Sequence, residues 1–429
     1  MPPFFFHIHF AFASCTNMFS QRQINMEENL EVKEQPIESK NPNESHNEFI
    51  DSLIEKVNSN DFVIHFYCPA MNTPSGGIGV LLRLARSLKD HGFKVKVWYE
   101  PRFDQKASMD ASNKAKKRID IFDRFYPTWV DFNISDLEFV PLGNDSDIQL
   151  TNGDTVKAVP LKVDTQDFLL IPEGFPNIME KTVQVSCKRI VLAQSWLYVL
   201  SGLQNGQTWQ SLGIKDVISV SDAITEFLDT IMPGLNIKKI RQGINRKYFQ
   251  PPAKRSDKFP CIGYVNARDS IGQLKLMNMI KIFYMANPQF RWIKFVELSN
   301  LSREEFADRL KTCAFVLYAD DVAGFGTLPL EAMACGTHVI GWASFGSKEF
   351  IKQNNGFWCN SGDVFQMAEM MGVAMDKWLS GEMDMEDTQS TYESILANYT
   401  VEGESDRMIE IMEQYKKERI HELERSKKQ

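Results

Sequence analysis

The sequence predicts an α/β protein in which helices cover parallel sheets on both faces. The clearest indication lies between Cys313 and Trp342, where an apolar run is followed by a glycine-containing loop, a helix and a second apolar run. A second unit of the same kind extends from Phe62 to Tyr99. Strands that alternate with helices in this way favour parallel pairing and a doubly wound sheet. With 429 residues, the chain is long enough for two or three domains with sizeable cores.

Composition and charge are those of an ordinary globular protein. Hydrophobic residues make up 43% of the chain and charged residues 24%, and the net charge is −8. This balance excludes nucleic-acid binding by the electrostatics of the whole chain. The seven cysteines form no CxxC pair and lie mostly in apolar runs, which indicates buried thiols in a reducing, cytoplasmic compartment. The seven histidines have no metal-ligand spacing, so we expect neither a metal nor a cofactor.

The predicted ligand site follows the apolar run 314–318, which suits a buried strand. Two carboxylates, Asp320 and Asp321, come directly after this run. The loop that follows consists of Gly324, Phe325, Gly326, Thr327 and Leu328. Pro329 suits the first position of a helix, because its missing N–H costs nothing there, and Glu331 then falls in the first helical turn.

The chemistry of this loop follows from its expected geometry. Glycines let a ligand approach the backbone closely, and the unpaired N–H groups at a helix start favour a diphosphate. A carboxylate at Glu331 would repel phosphates but would accept hydrogen bonds from two sugar hydroxyls. The pattern therefore predicts a nucleotide held by its phosphates and its ribose. The alternative is an ordinary turn between a strand and a helix, since glycines near helix starts are common.

The run GFGTLPLEAMACGTHVIG resembles the donor-binding signature of GT-B glycosyltransferases. The resemblance is to the large retaining group, family 4 or glycosyltransferase group 1, which uses nucleotide-diphosphate sugars. It is sharp over residues 320–341 and diffuse over 62–378. It implies the GT-B fold, in which two doubly wound, Rossmann-like domains face each other across a cleft.

The resemblance also assigns roles within the loop. It implies that Glu331 binds the ribose of the donor. The family usually carries another glutamate eight positions earlier, which contacts the transferred sugar, and here Ala323 stands in its place. Asp320 and Asp321, just upstream, are the candidates to replace that glutamate as catalytic residues.

Four segments are predicted along the chain. They are an irregular N-terminal segment (1–60), a Rossmann-like acceptor-side domain (61–250), a Rossmann-like nucleotide-sugar-binding domain (251–400) and a charged C-terminal helix (401–429). The domain boundary is placed in the proline-containing stretch 250–255, which has the composition of a linker. The apolar run 2–14 is too short to span a bilayer. An alternative interpretation is that the start codon is misassigned and that translation begins at Met18 or Met26.

The predicted first domain offers three candidate positions. Gly76 and Gly77 precede the helical pattern of the first unit, and the resemblance places this loop opposite the distal phosphate of the donor. The alternative is a glycine pair required for helix packing. Glu173 follows the apolar strand 168–171, and carboxylates at strand ends of α/β folds point into the ligand crevice. It is a candidate for binding the acceptor or acting on it, or else a turn residue. Gln194, after the next strand, is a weaker candidate for the same crevice.

A basic pair completes the predicted donor site. The resemblance implies two cations that clamp the diphosphate, and Arg268 and Lys275 match best, although they are more widely spaced than the family's pair. Such a clamp would neutralise leaving-group charge without a metal. The alternative is that both are surface charges. The lysine-rich stretch 107–118 suits a solvated segment, and its alternative is a contact with the acceptor or a membrane surface.

The leading hypothesis is a glycosyltransferase, hexosyl or deoxyhexosyl, acting in polysaccharide biosynthesis. It would move a sugar from a nucleotide-diphosphate sugar to a hydroxyl acceptor on a glycan, a lipid-linked molecule or a protein, with retention implied by the resemblance. Its expected partners are the nucleotide sugar and the acceptor, with peripheral association at a membrane as a further possibility. Ala323 motivates a competing hypothesis, a non-catalytic partner or chaperone of an active transferase. A nucleotide-sugar epimerase on the same fold is a third.

Overall fold

Two parallel sheets organise the part of the chain that the structure describes. The computed structural model describes residues 42–69, 75–100, 130–149, 155–254, 257–267, 270–352, 354–383 and 385–427. Its strands are β1 (Val63–Pro69), β2 (Lys94–Glu100), β3 (Glu138–Pro141), β4 (Ser146–Gln149), β5 (Thr155–Ala158), β6 (Phe168–Pro172), β7 (Lys188–Ala193), β8 (Asp216–Ser219), β9 (Asn236–Lys239), β10 (Phe259–Tyr264), β11 (Phe295–Glu297), β12 (Cys313–Tyr318), β13 (His338–Trp342) and β14 (Phe357–Cys359). Its α-helices are α1 (Pro42–Asn58), α2 (Gly76–Asp90), α3 (Pro176–Lys181), α4 (Trp196–Val199), α5 (Asp222–Ile231), α6 (Ser270–Ala286), α7 (Arg303–Thr312), α8 (Leu328–Ala334), α9 (Val364–Ser380), α10 (Met385–Leu396) and α11 (Val401–Ser426).

The order of the strands predicts a ligand crevice at the carboxyl ends of the strands in each sheet. The first sheet has the order β3-β2-β1-β6-β7-β8-β9, and the second has the order β11-β10-β12-β13-β14. All neighbouring strands in both sheets are parallel. The chain reverses its direction of progress between β1 and β6, and again between β10 and β12. In such sheets ligands bind outside the carboxyl ends of the strands at these reversal points.

Burial on both faces explains why the strands read as continuous apolar runs. Every residue of β6, β7 and β12 is buried. Helices lie on both faces of a doubly wound sheet, so neither face of a central strand can tolerate an exposed polar position. The buried positions of α2 (Ile78, Val80, Leu81, Leu82, Leu84, Ala85, Ser87 and Leu88) form the face that packs on the first sheet. The predicted α/β class with two parallel sheets is thus confirmed.

Helix starts follow the capping chemistry of the sequence. The Ser302 hydroxyl accepts from the N–H of Glu305, and the Glu305 carboxylate bonds back to the Ser302 backbone, so α7 begins with a complete capping box. At α5, the Ser221 hydroxyl accepts from the N–H of Ile224. At α9, the Asp363 carboxylate accepts from the N–H of Gln366. These caps fix where each helix leaves its preceding loop.

Several local predictions need correction. The aromatic and aliphatic residues of 290–296 predict a strand, but the structure has a 3-10 turn at Pro288–Phe290 followed by the short strand β11, because Pro288 favours a helical turn after Asn287. The sequence predicts a short helix over 347–353, but only a 3-10 turn forms, at Ser347–Glu349. Helix α10 was not predicted. The turn signals between residues 131 and 165 predict short edge strands or a hairpin, and the structure has the short edge strand β3 and the antiparallel pair β4–β5 there.

The last helix returns to the first sheet. Helix α11 packs against α1 and α2, and the Tyr415 hydroxyl donates to the carbonyl of Val217 over 3.1 Å. Arg83 of α2 pairs with Glu404 of α11. The two chain crossings between the sheets run side by side, joined by a bridge between Ile244 and Thr400. In the described ranges no helix is both long enough and apolar enough to cross a bilayer.

Candidate functional site

The loop after β12 is shaped by its own first carboxylate. Asp320 Oδ1 accepts hydrogen bonds from the backbone N–H groups of Val322 and Ala323, each over 3.0 Å. This arrangement, an aspartate bonded to the backbone two and three residues later, closes a tight turn. Asp321, by contrast, is exposed. Of the two predicted replacements for the missing glutamate, Asp320 is therefore engaged in the loop itself and Asp321 faces solvent.

The glycine-containing loop lies directly against the first domain. The Ser221 hydroxyl donates to the carbonyl of Gly324 over 2.8 Å, and the Ser195 hydroxyl donates to the carbonyl of Val322 over 3.2 Å. A Cβ atom at Gly324 would overlap the carbonyl group of Gln194, lying 2.7 Å from its carbon, and would lie 3.0 Å from Ser195 Cα. The close approach of two backbones explains why glycine is required here. The loop thus closes on the carboxyl ends of β7 and β8.

The other residues of the loop anchor it in the second domain. Phe325 is buried and packs its ring against Phe350 and Tyr399, with centroid distances of 5.7 and 5.4 Å. Only the backbone of Phe325 is therefore available to a ligand. Gly326 has a φ of +79°, which favours glycine. Helix α8 then begins at Leu328, one residue before the predicted start at Pro329, with Thr327 at its N-cap and Glu331 in its first turn as predicted.

Glu331 is buried and paired. It is 4% exposed, and its Oε1 accepts a hydrogen bond of 2.6 Å from Nη2 of Arg303, the first residue of α7. The Arg303 Nε lies 3.9 Å from Asp131 Oδ2, and its guanidinium lies over the ring of Phe249 at 4.7 Å. Asp131 also accepts from the side chain of Asn245 over 3.1 Å. The carboxylate predicted to bind ribose therefore sits in a network of fixed charges between the two sheets.

The predicted residues of the first domain converge on the same place. Gln194 Nε2 donates to the carbonyl of Gly77 over 3.1 Å, and Gln194 Oε1 is buried without a hydrogen-bond partner among the described atoms. Glu173 is 5% exposed, and its Oε1 accepts from the N–H of Ser195 over 2.8 Å. Around Gly76, a Cβ atom would meet nothing within 4 Å. Gly77, Gln194 and Glu173 thus meet the second-domain loop at the crevice.

Burial sets the protonation of Glu173. Removal of its carboxyl group from water raises the pKa of Glu173 to about 7, although the backbone N–H groups of Glu173, Gln194 and Ser195 oppose this effect. The carboxyl group is therefore poised to exchange a proton near neutral pH. Groups with this property suit acid–base chemistry, and buried structural carboxyls share it.

Only one residue of the predicted basic pair lies in the part of the chain that the structure describes. Arg268 lies outside the described residues. Lys275 is exposed on α6 and forms no ion pair with another described residue. The lysine-rich stretch 107–118 also lies outside the described residues. Within the described ranges, no group of three or more His, Cys, Asp or Glu side chains is arranged to hold a metal ion.

Sequence reasoning missed three members of the site, namely Arg303, Ser195 and Ser221. Arg303 stands inside the capping motif of α7, which gives a helix start and no indication of a distant carboxylate. Ser221 stands before a helix start, where a serine indicates an N-cap, and its hydroxyl also donates to the loop across the interface. Each residue acts through partners at least 22 positions away, so no local pattern could reveal it.

Sequence comparisons agree with this geometry. The family described as Glycosyl transferases group 1 matches residues 284–392, which include α8 and Glu331. An alpha-1,6-glucosyltransferase of Actinobacillus pleuropneumoniae serotype 7 (strain AP76) is 30% identical over 95 residues. The matched part is 21% of this chain and 29% of that relative, so it spans less than a third of the relative's length.

Solved structures with low sequence identity share the fold over more than four fifths of this chain. The pneumococcal O-GlcNAc transferase GtfA, in complex with UDP and GlcNAc, aligns with a TM-score of 0.55 at 11% identity and covers 84% of this chain and 99% of its own. HepE of Anabaena, in complex with UDP-glucose, gives 0.54 at 14% identity, with 82% and 99% covered. Sucrose-phosphate synthase of Thermosynechococcus elongatus gives 0.54 at 14% identity, with 82% and 99% covered. The chain has the GT-B fold of these glycosyltransferases, and its residues 284–392 match the glycosyl transferases group 1 family.

Proposed function

We propose that this protein is a glycosyltransferase that moves a sugar from a nucleotide-diphosphate sugar to a hydroxyl group, with retention at the anomeric carbon. One observation carries the proposal. The loop of residues 320–328 meets Gln194 and Ser195, which bond to Gly77 and Glu173, at the carboxyl ends of strands of the first sheet, and the buried Glu331 lies in the helix that follows this loop. The match of this same segment to the glycosyl transferases group 1 family supports it.

The donor is assigned to the second domain. Glu331 would accept hydrogen bonds from the ribose hydroxyls, and the backbone of Gly324 to Leu328 would border the diphosphate. Arg268 and Lys275 would neutralise the charge that develops on the leaving diphosphate, as cations do in phosphoryl and glycosyl transfer. The donor sugar is proposed to be a hexose or a hexosamine, because the relatives that match carry glucose or GlcNAc in their names or complexes.

The acceptor is assigned to the first domain. Glu173, with a pKa raised to about 7, would take up the proton of the acceptor hydroxyl as the new glycosidic bond forms. Gln194 Oε1, which is buried without a partner among the described atoms, would accept a hydrogen bond from the same substrate. A glycan, a lipid-linked molecule or a protein would satisfy this chemistry, and we propose an acceptor of polysaccharide biosynthesis in the cytoplasm.

Calorimetric titration with UDP-, GDP-, ADP- and dTDP-sugars tests the donor assignment. We expect one base to be bound, and Glu331→Gln to weaken that binding by at least about tenfold, because a hydrogen bond to a charged group contributes about 1.5–3 kcal/mol. Glu304→Gln is the matched control, since Glu304 is exposed on α7. Unchanged affinity of the Glu331 variant would remove the ribose role from this residue.

A second function is favoured by a specific feature of the loop. Ala323 occupies the position where the family's sugar-contacting glutamate is expected, and Asp320 is bonded to the loop backbone. A non-catalytic GT-B subunit that stabilises an active transferase fits these two facts. Such a subunit would bind a nucleotide sugar without hydrolysing or transferring it. Release of nucleotide diphosphate in the presence of acceptor extracts therefore distinguishes the two functions.

A further inference from the structure

Arg303 is the ion-pair partner of Glu331 among the described residues. The bond from Nη2 to Oε1 is 2.6 Å long, and the side chain of Glu331 is only 5% exposed while that of Arg303 is 31% exposed. A carboxylate buried to this extent is costly unless a cation or hydrogen-bond donors accompany it. Arg303 therefore determines both the position and the effective charge of Glu331.

The guanidinium of Arg303 is itself held in place. It lies over the ring of Phe249 at 4.7 Å and near that of Phe306 at 5.8 Å, and its Nε is 3.9 Å from Asp131 Oδ2. Planar stacking with several directed donors suits arginine and is poorly reproduced by lysine. A side chain fixed on three sides restricts the rotamers of the carboxylate to which it is bonded.

This pairing solves a problem that the proposed donor site creates. A bare carboxylate at Glu331 would repel the diphosphate of the donor, and repulsion between buried charges is strong. The guanidinium offsets that charge. An ionised carboxylate has about four acceptor positions, and Arg303 uses one of them, so capacity remains for two ribose hydroxyls.

We propose that Arg303 is a positioning residue for ribose recognition. It holds the Glu331 carboxylate so that the site prefers a ribonucleotide to its 2′-deoxy counterpart. The inference rests on the proposed function, because it concerns the same donor site, and it assigns a task to a residue outside the loop.

The test compares the affinities of UDP, GDP and ADP with those of their 2′-deoxy forms by calorimetry. For the wild-type protein we expect the deoxy form of the bound nucleotide to bind about tenfold or more weakly, from the loss of one hydrogen bond to a charged group. In Arg303→Gln the ratio of the affinity for the ribonucleotide to the affinity for its deoxy form should fall below about threefold. Arg309→Gln, on the same helix and bonded only weakly to the carbonyl of Glu297 at 3.4 Å, should keep the wild-type ratio.

A double variant separates positioning from folding. If Arg303→Gln alone does not fold, the variant that combines it with Glu331→Gln removes both charges, and replacing both partners of a buried pair is better tolerated than removing one. Its ratio should equal that of Glu331→Gln alone, because Arg303 acts only through Glu331. The inference is overturned if the double variant has a lower ratio than Glu331→Gln alone, or if Arg303→Gln keeps the wild-type ratio.

The outcomes also separate the inference from the proposed function. If the wild-type protein binds neither these nucleotides nor any of the nucleotide sugars of the donor titration, the proposed function and the inference both fail, and if it binds only a dTDP-sugar, the inference alone fails. If it binds a nucleotide but does not distinguish the deoxy form, the inference fails while donor binding stands. If it distinguishes the two forms and only the Arg303 variant loses the distinction, the inference is supported.

Discussion

Glu173→Gln should stabilise the protein at alkaline pH and change its stability little at acidic pH. The carboxyl group is 5% exposed, and its Oε1 accepts from the N–H of Ser195 over 2.8 Å. Burial raises the pKa of Glu173 from its ordinary value of 4.5 to about 7. A glutamine side chain has nearly the same shape, and its carbonyl oxygen can accept from the same N–H, so the substitution removes the charge and keeps the contact.

The sign and size of the effect follow from proton linkage. Since the pKa is higher in the folded state, folding takes up a proton between pH 4.5 and 7, and stability is lost as the pH rises through this window. Above pH 7 the buried carboxylate must be charged. A pKa difference of about 2.5, at 1.36 kcal/mol for each pH unit, corresponds to about 3 kcal/mol. Glutamine avoids that cost, and the advantage should shrink below about 1 kcal/mol at pH 5.

Urea unfolding followed by tryptophan fluorescence at pH 5, 6, 7 and 8 measures this difference. Because all other titrating groups are shared, the difference in the free energy of unfolding between wild type and variant isolates the carboxyl group. Glu226→Gln, at an exposed position in the same domain, should show no pH-dependent difference. If the difference in the free energy of unfolding between wild type and Glu173→Gln is the same at pH 5 and pH 8, burial does not raise the pKa of Glu173.

Three further substitutions test individual contacts. Gly324→Ala should destabilise the interface by roughly 1–3 kcal/mol in thermal unfolding because its Cβ has no space, whereas Gly76→Ala, in open surroundings, should be neutral. Trp98→Phe should cost about 1–3 kcal/mol in urea unfolding, because the indole N–H donates to Nδ1 of the buried His65 over 2.8 Å and that nitrogen would lose its donor. Lys258→Met should lower the melting temperature, since the buried ammonium donates to two backbone carbonyls and a threonine hydroxyl. A melting temperature equal to that of wild type would show that these bonds only offset the cost of burying the ammonium group, which lowers the pKa of Lys258 to about 8.

The fold could be predicted from the sequence because its signals are local and repeated. The apolar runs of β6 and β12 and the helical spacing of α2 each indicate one element, and their alternation indicates parallel sheets. Errors arose where the local signal was weak. The segment 288–297 combines aromatic and aliphatic residues that suit a strand, but Pro288 starts a 3-10 turn, and only Phe295–Glu297 remain for the strand.

The site could be predicted only in part, for a different reason. Loop chemistry and resemblance indicated Glu331 and Gly324 as candidates, since glycines and a carboxylate at a helix start form a recognisable local pattern. Neither could show that Glu331 is bonded to Arg303, or that Gly324 lies against the backbone of Gln194. Those contacts arise where two domains meet, and the spacing of residues in the chain carries no information about them.

Ser195 joins the two domains at the crevice. Its bonds do not involve the side chain at position 323, where alanine replaces the glutamate usual in the family. Its N–H donates to Glu173 and its hydroxyl donates to the carbonyl of Val322, so one residue joins the buried carboxyl of the first domain to the loop of the second. Asp320 accepts from the backbone N–H groups of Val322 and Ala323, so these bonds do not use the side chain at position 323. Because Glu173 can change its charge near neutral pH, the strength of the Ser195 contact should change with it. Under the proposed function, proton transfer is assigned to Glu173 of the first domain, and the alanine at position 323 does not remove that carboxyl group.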